Sequence, residues 1–134
     1  MQQLLTHASL GAVDITAIAP PRTFGSSGAS STHAGVTTSV LDSAAALSLL
    51  PAGMYVLTTE LKVNLLSPAQ GDRLVAKGRV VKSGRTLAVC RANVFAVTDS
   101  SDVSARSGGE QSAAREVHVA TALLTMIQVA SPIA

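Results

Sequence analysis

Aromatic side chains are almost missing from this 134-residue chain, which has two Phe, one Tyr and no Trp. Its interior must therefore be filled by Ala, Val and Leu. That suits close packing of a helix on a sheet and leaves no platform on which nucleic-acid bases can stack. Charge is sparse as well, at 13% of residues with a net +2, too small an excess to argue for a polyanionic partner. The single cysteine, Cys90, excludes an intrachain disulfide framework and a cysteine-cluster zinc site, and points to a reducing compartment. His7 and His118 are too far apart in sequence to frame a metal site. No run approaches the roughly 18 uninterrupted apolar residues of a membrane span. Met1-Gln2-Gln3-Leu4-Leu5 lacks the charged start and longer apolar core of a signal peptide, and Ser131-Pro132-Ile133-Ala134 is no retention or peroxisomal signal. Nucleophile-elbow, phosphate-loop and dinucleotide-binding patterns are absent. The expectation is one cytoplasmic domain spanning 1–134, with no metal and neither a membrane nor a nucleic-acid partner.

What is present is apolar: 47% of residues are hydrophobic, enough for a core of ordinary size. Residues 8–19 are mostly small and β-branched and read as a first strand, ended by Pro20-Pro21. Gly25 to Ser31 is small, polar and loop-like. From Val36 the pattern changes. Val36, Val40, Ala44 and Leu47 recur at helical spacing through three consecutive alanines, until Pro51 stops the run. A helix this apolar is expected to be covered nearly all round, and Asp42 is its one charged residue. Alternation then predicts a strand with Tyr55, Leu57, Leu61, Val63 and Leu65 on one face. Thr58, Glu60, Lys62 and Asn64 fall on the other. Residues 73–82 and 85–98 read as strands about a Ser83-Gly84 turn. The stretch 99–115 reads as a long, mobile hairpin tip, and 116–129 as a last strand. One strand, one helix and four strands give an α+β fold, with an antiparallel sheet of about five strands wrapping one helix. Flat sheet edges would invite dimerisation.

Asp42 is the residue that asks for an explanation, since burying a carboxylate in an apolar helix costs free energy unless something compensates. It follows Gly35 by seven residues, nearly two helical turns, so the two share a face. Gly35 falls at the helix N-terminus, where free backbone N–H groups and the positive end of the dipole face outward. A donor for a developing oxyanion and a carboxylate able to activate water would thus line one groove. The plainer alternative keeps Asp42 exposed or paired with a neighbouring chain, Gly35 as a turn residue and His33 as a cap.

His33-Ala34-Gly35-Val36, followed by Val40-Leu41-Asp42-Ser43-Ala44, resembles the His-Gly-Gly-Val and Leu-Asp-Thr-Ala segments of hotdog-fold acyl-CoA thioesterases, of the phenylacetate-pathway type. Thr58 to Ala69 is similar to that family's central strand and the loop after it. Gly71 to Ala76 and Val80 to Ala88 continue the match, which runs from about residue 28 to 98 in order and spacing.

The resemblance implies a curved antiparallel sheet wrapped around one central α-helix, assembled into homodimers or homotetramers with active sites at the dimer interface. It implies Asp42 as the general base or nucleophile towards the thioester, and the Gly35 N–H as the group polarising its carbonyl. His33 would position the thioester, and Thr58 would orient water from the other subunit, with the register open by one residue to Thr59. Coenzyme A carries phosphates, and Lys77, Arg79, Lys82, Arg85 and Arg91, five of the ten basic side chains, would form a steering patch. Lys82 and Arg85 flank the Ser83-Gly84 turn, whose backbone can come close to a ligand. The alternative is that these cations only keep the sheet soluble. Two positions depart from the family. Ala34 replaces the first glycine, narrowing the pocket mouth by a methyl group, and Ser27 stands where Asn or Gln is common. The implied activity is hydrolysis of an acyl-CoA to acid and free CoA, with no cofactor beyond the CoA of the substrate. The departures at Ala34 and Ser27 favour the alternative, a non-catalytic acyl-CoA-binding protein.

Overall fold

A computed structural model of the protein describes residues 2–9, 11–18, 31–50, 55–99 and 114–129. The elements in chain order are β1 (Gln2–Ser9), β2 (Ala12–Ile18), α1 (Ala34–Leu47), β3 (Tyr55–Leu65), β4 (Arg73–Ser83), β5 (Leu87–Thr98) and β6 (Arg115–Val129). The strands form one six-stranded sheet in the order β1-β2-β4-β5-β6-β3, antiparallel at every pairing. α1 packs chiefly on β4 and β5. The α+β expectation therefore holds, but the strand count does not. In place of the one strand expected over 8–19 there is a hairpin, with β1 running from Gln2 to Ser9, Gly11 at the turn with a φ of 75° that favours glycine, and β2 from Ala12 to Ile18. A glycine among small residues hides such a turn, because it interrupts no obvious pattern. The loop expected over Gly25 to Ser31, apart from Ser31, and residues 100–113 of the expected hairpin tip lie outside the described residues.

α1 forms because its residues are good helix formers and because His33 caps its start, the ring Nδ1 accepting from the Gly35 N–H. It buries Thr37, Val40, Leu41, Ala44 and Ala45. Among the described residues the sheet covers one face of α1, and only Ala34, Gly35 and Ser39 of the helix are exposed. Ser43, Ala46 and Leu47 are half-buried, Ser39 is exposed, and Asp42 is half-buried. The core beneath α1 is aliphatic, with Ala76, Ala88, Ala92, Val94, Leu124 and Met126 facing it. Cys90 belongs to this layer and is fully buried. Desolvation pushes its thiol pKa up, against a smaller opposing effect of the Ser48 hydroxyl, so it is a packing residue and not a nucleophile.

β3 departs from simple alternation in a way that matters for the site. Its register against β6 shifts between Thr58 and Glu60. Thr58 pairs with Met126 and Leu61 with Leu124, both buried under α1, so Val56, Thr58, Leu61 and Val63 share the helix side. Tyr55, Leu57, Glu60 and Lys62 take the other. The expected grouping of Tyr55 and Leu57 with Leu61 is therefore corrected, because one extra residue in a bulge exchanges the faces beyond it.

Candidate active site

The bulge in β3 turns Thr58 towards α1, where its hydroxyl donates to Asp42 Oδ1 at 2.5 Å. That contact lies within one chain, which corrects the expectation that Thr58 would act from the other subunit. Thr59 is not brought to the carboxylate. Its hydroxyl donates instead to the Thr125 carbonyl at 3.1 Å. Among the described residues no cation pairs with Asp42 and only Thr58 hydrogen-bonds it, so Oδ2 has no protein donor.

At the other end of the same helix face the geometry differs from the expectation. The Gly35 N–H is not an open donor: His33 Nδ1 accepts it at 3.0 Å. Polarising a thioester carbonyl with this N–H requires the exposed His33 ring to swing aside. Gly35 itself touches that ring closely, for a Cβ built there lies 3.0 Å from His33 Nδ1 and 3.3 Å from Cε1. Gly35→Ala is therefore expected to displace the ring from its present place. The gain in helix propensity, about 1 kcal/mol, offsets a lost cap of similar size, so the melting temperature should move little. A fall of more than about 5 °C would mean that the His33 cap holds the helix start more firmly than helix propensity at this position can offset. Ala34, the first residue of α1, is exposed beside His33. Ser27 lies outside the described residues.

Of the basic side chains expected to form a patch over 77–91, Lys77, Arg79, Lys82 and Arg91 share one face of the sheet, with Arg79 opposite Arg91 and Lys82 opposite Val89. Lys77, Arg79 and Arg91 alternate with Ala76, Gly78, Cys90 and Ala92, which face α1, so these cations project from the opposite side of the sheet. Arg79 pairs with Asp14 at 3.0 Å. Lys77 pairs with Glu116 at 3.4 Å and sits over the Phe95 ring, 4.7 Å from its centre. Lys82, Ser83, Gly84 and Arg85 remain together at the β4–β5 connection. There the Gly84 N–H is used by the Leu87 carbonyl at 2.8 Å, and the Gln128 N–H of β6 donates to the Thr86 carbonyl at 2.9 Å.

An apolar cleft of about 240 Å³, which the sequence reading missed, opens next to the Asp42–Thr58 pair. Ala46, Leu47 and Leu50 line it from the helical side, Tyr55, Val56 and Leu57 from β3, and Val129 from β6. Its only signal in sequence is Ala46, one helical turn after Asp42. A larger cleft, about 460 Å³, lies between the β3–β4 loop and the start of β6, with Gln70, Asp72, Thr98 and Arg115 among its walls and none of the expected catalytic residues. Among the described residues no three His, Cys, Asp or Glu side chains converge on a metal position. No described helix is long and apolar enough to cross a membrane.

The sequence pattern of the thioesterase superfamily matches residues 30–102. Among curated proteins none matches significantly. A thioesterase family protein from Silicibacter pomeroyi is 29% identical, with a TM-score of 0.75 over 95% of this chain and 84% of that one. A Streptococcus mutans protein solved bound to acetyl-CoA is 21% identical, with a TM-score of 0.73 over 96% and 90% of the two chains. A hypothetical thioesterase of Streptococcus pneumoniae solved with coenzyme A is 20% identical, with a TM-score of 0.70 over 96% and 86%. The pneumococcal protein has also been crystallised with an aspartate, and separately a threonine 16 positions later, replaced by alanine. These likenesses identify the arrangement of one helix and an antiparallel sheet as the hotdog fold.

Proposed function

Because the chain belongs to the thioesterase superfamily, we propose that it hydrolyses an acyl-CoA to the free acid and coenzyme A, with Asp42 as the reacting carboxylate. The observation that carries this reading is the Thr58–Asp42 hydrogen bond beside an apolar cleft. Thr58 holds Oδ1 and orients the group, leaving Oδ2 to act. As a general base, Asp42 takes a proton from water as the water oxygen bonds to the thioester carbonyl carbon. As a nucleophile, Asp42 attacks that carbon itself and forms an anhydride that water then opens. Either way the C–S bond breaks, the sulfur leaves as the CoA thiolate, and the thiolate takes up a proton. The Gly35 N–H stabilises the developing oxyanion once the His33 ring has moved and turned to the thioester. The reaction as written consumes only water. The Lys82-Ser83-Gly84-Arg85 connection offers cations and backbone to the CoA phosphates, and the CoA-bound relatives support that ligand class. The occupied Gly35 N–H favours the alternative reading, a protein that binds acyl-CoA without hydrolysing it.

A homo-oligomer completes the proposal. Among the described strands β3 ends the sheet with one side unpaired, and it leaves Leu57 at 59%, Leu61 at 42% and Leu65 at 57% exposure. An edge strand with that much apolar surface invites a second copy. Light scattering should therefore give a dimer or tetramer, and a monomer at micromolar concentration would remove an interface site. Free-thiol release from a panel of acyl-CoAs tests the activity. Release supports hydrolysis, whereas calorimetric binding without release supports the alternative.

A further inference from the structure

The cleft beside Asp42 carries a narrower inference, which rests on the thioesterase reading. We propose that it receives the acyl chain of the substrate, that this chain is aliphatic with up to about eight carbons, and that Ala46 sets the limit while Leu50 supplies an apolar wall. Both walls of the cleft continue directly from the Asp42–Thr58 pair. Ala46 lies one turn beyond Asp42 on the same helix face, about 6 Å further along the axis. Val56 lies two residues before Thr58 on the same strand face, about 7 Å away. A thioester carbonyl held at Asp42 thus has an aliphatic trough on the C-terminal side and the polar His33–Gly35 end of α1 on the other. The acyl chain belongs in the first and the charged CoA portion towards the second, because apolar surface gains by leaving water and phosphate does not. At roughly 30 Å³ per water- or methylene-sized group, the 240 Å³ cleft holds about eight of them. An aryl group would find one ring for a partner, Tyr55, at the exposed rim.

The test is kcat/KM for straight-chain acyl-CoAs from two to sixteen carbons, with benzoyl- and phenylacetyl-CoA, on the wild type, Ala46→Leu and Leu50→Ser. The wild-type value should rise roughly fourfold per methylene up to about eight carbons and then level or fall. Ala46→Leu fills the trough and should lower the octanoyl-to-butyryl ratio at least tenfold. Leu50→Ser, at an exposed position, should lower it less. The ratio is taken within one preparation, so it does not depend on how much protein is folded. Equal values at every length, or a preference for benzoyl over octanoyl, would overturn the inference and leave hydrolysis standing. Absence of release from every thioester would instead remove the activity, and this inference with it. A Leu50→Ser protein that loses its oligomer but keeps the wild-type ratio would mean that a second copy covers the cleft, which also overturns it.

Discussion

Asp42→Asn is expected to lower kcat for acyl-CoA hydrolysis at least a hundredfold, the scale that a positioned general base contributes. Asparagine keeps the shape of the side chain and an oxygen able to accept from the Thr58 hydroxyl, which donates to Asp42 at 2.5 Å. The hydrogen bond and the packing around it should therefore survive, and thermal unfolding should match the wild type within a few degrees. What asparagine cannot do is take a proton from water or attack a carbonyl. Asp42→Ala is a weaker test, because it strands the half-buried Thr58 hydroxyl at a cost of about 1 kcal/mol. Thiol release by the Asn variant above a tenth of the wild-type rate would take Asp42 out of the chemistry.

Gly78→Ala should be the most damaging small substitution to stability. Gly78 faces α1 from the middle of β4, and a Cβ there would lie 2.1 Å from the Ala44 carbonyl oxygen, 2.5 Å from its carbon and 3.1 Å from the Ala45 nitrogen. All three are backbone atoms of the helix, so no side chain can rotate away. α1 would have to lift off the sheet, opening gaps against Ala76, Ala92 and Val94, which are all fully buried. Overpacking of this kind costs about 3 kcal/mol or more, which lowers the melting temperature of a domain this size by roughly 10 °C. A melting point within 2 °C of the wild type would mean that helix and sheet are less tightly apposed than described. The same contact explains the near absence of aromatics: a helix that meets the sheet through Ala44, Ala45 and Gly78 leaves no space for rings between them.

The fold was legible where local pattern and tertiary role coincide. Val36, Val40, Ala44 and Leu47 mark α1 because only a helix brings that spacing to one side. The strands from Arg73 to Val129 alternate as exposed-and-buried strands do. Asp42 stood out because it is the one charge in an apolar helix, and its relation to Gly35 follows from helical geometry alone. The β1–β2 hairpin was not legible, since Gly11 turns the chain inside a run of residues that suit a strand.

Composition, periodicity and motif order by themselves determined an α+β domain with an apolar helix, a carboxylate on it and a resemblance to the hotdog thioesterases. Tertiary structure alone decided which groups meet. Whether Thr58 or Thr59 faces Asp42 depends on a bulge, and a bulge is set by how β3 pairs with β6, some 60 residues further along the chain. Strand faces alternate every residue, so one unpaired residue reverses everything after it. That Lys77, Arg79, Lys82 and Arg91 share the face away from α1 follows from the same alternation, set against the side on which α1 lies. The hydrogen bond between the Gly35 N–H and His33 and the apolar cleft beyond Ala46 depend on side-chain positions in space. Helical spacing orders residues along a face, but only packing decides what stands opposite them.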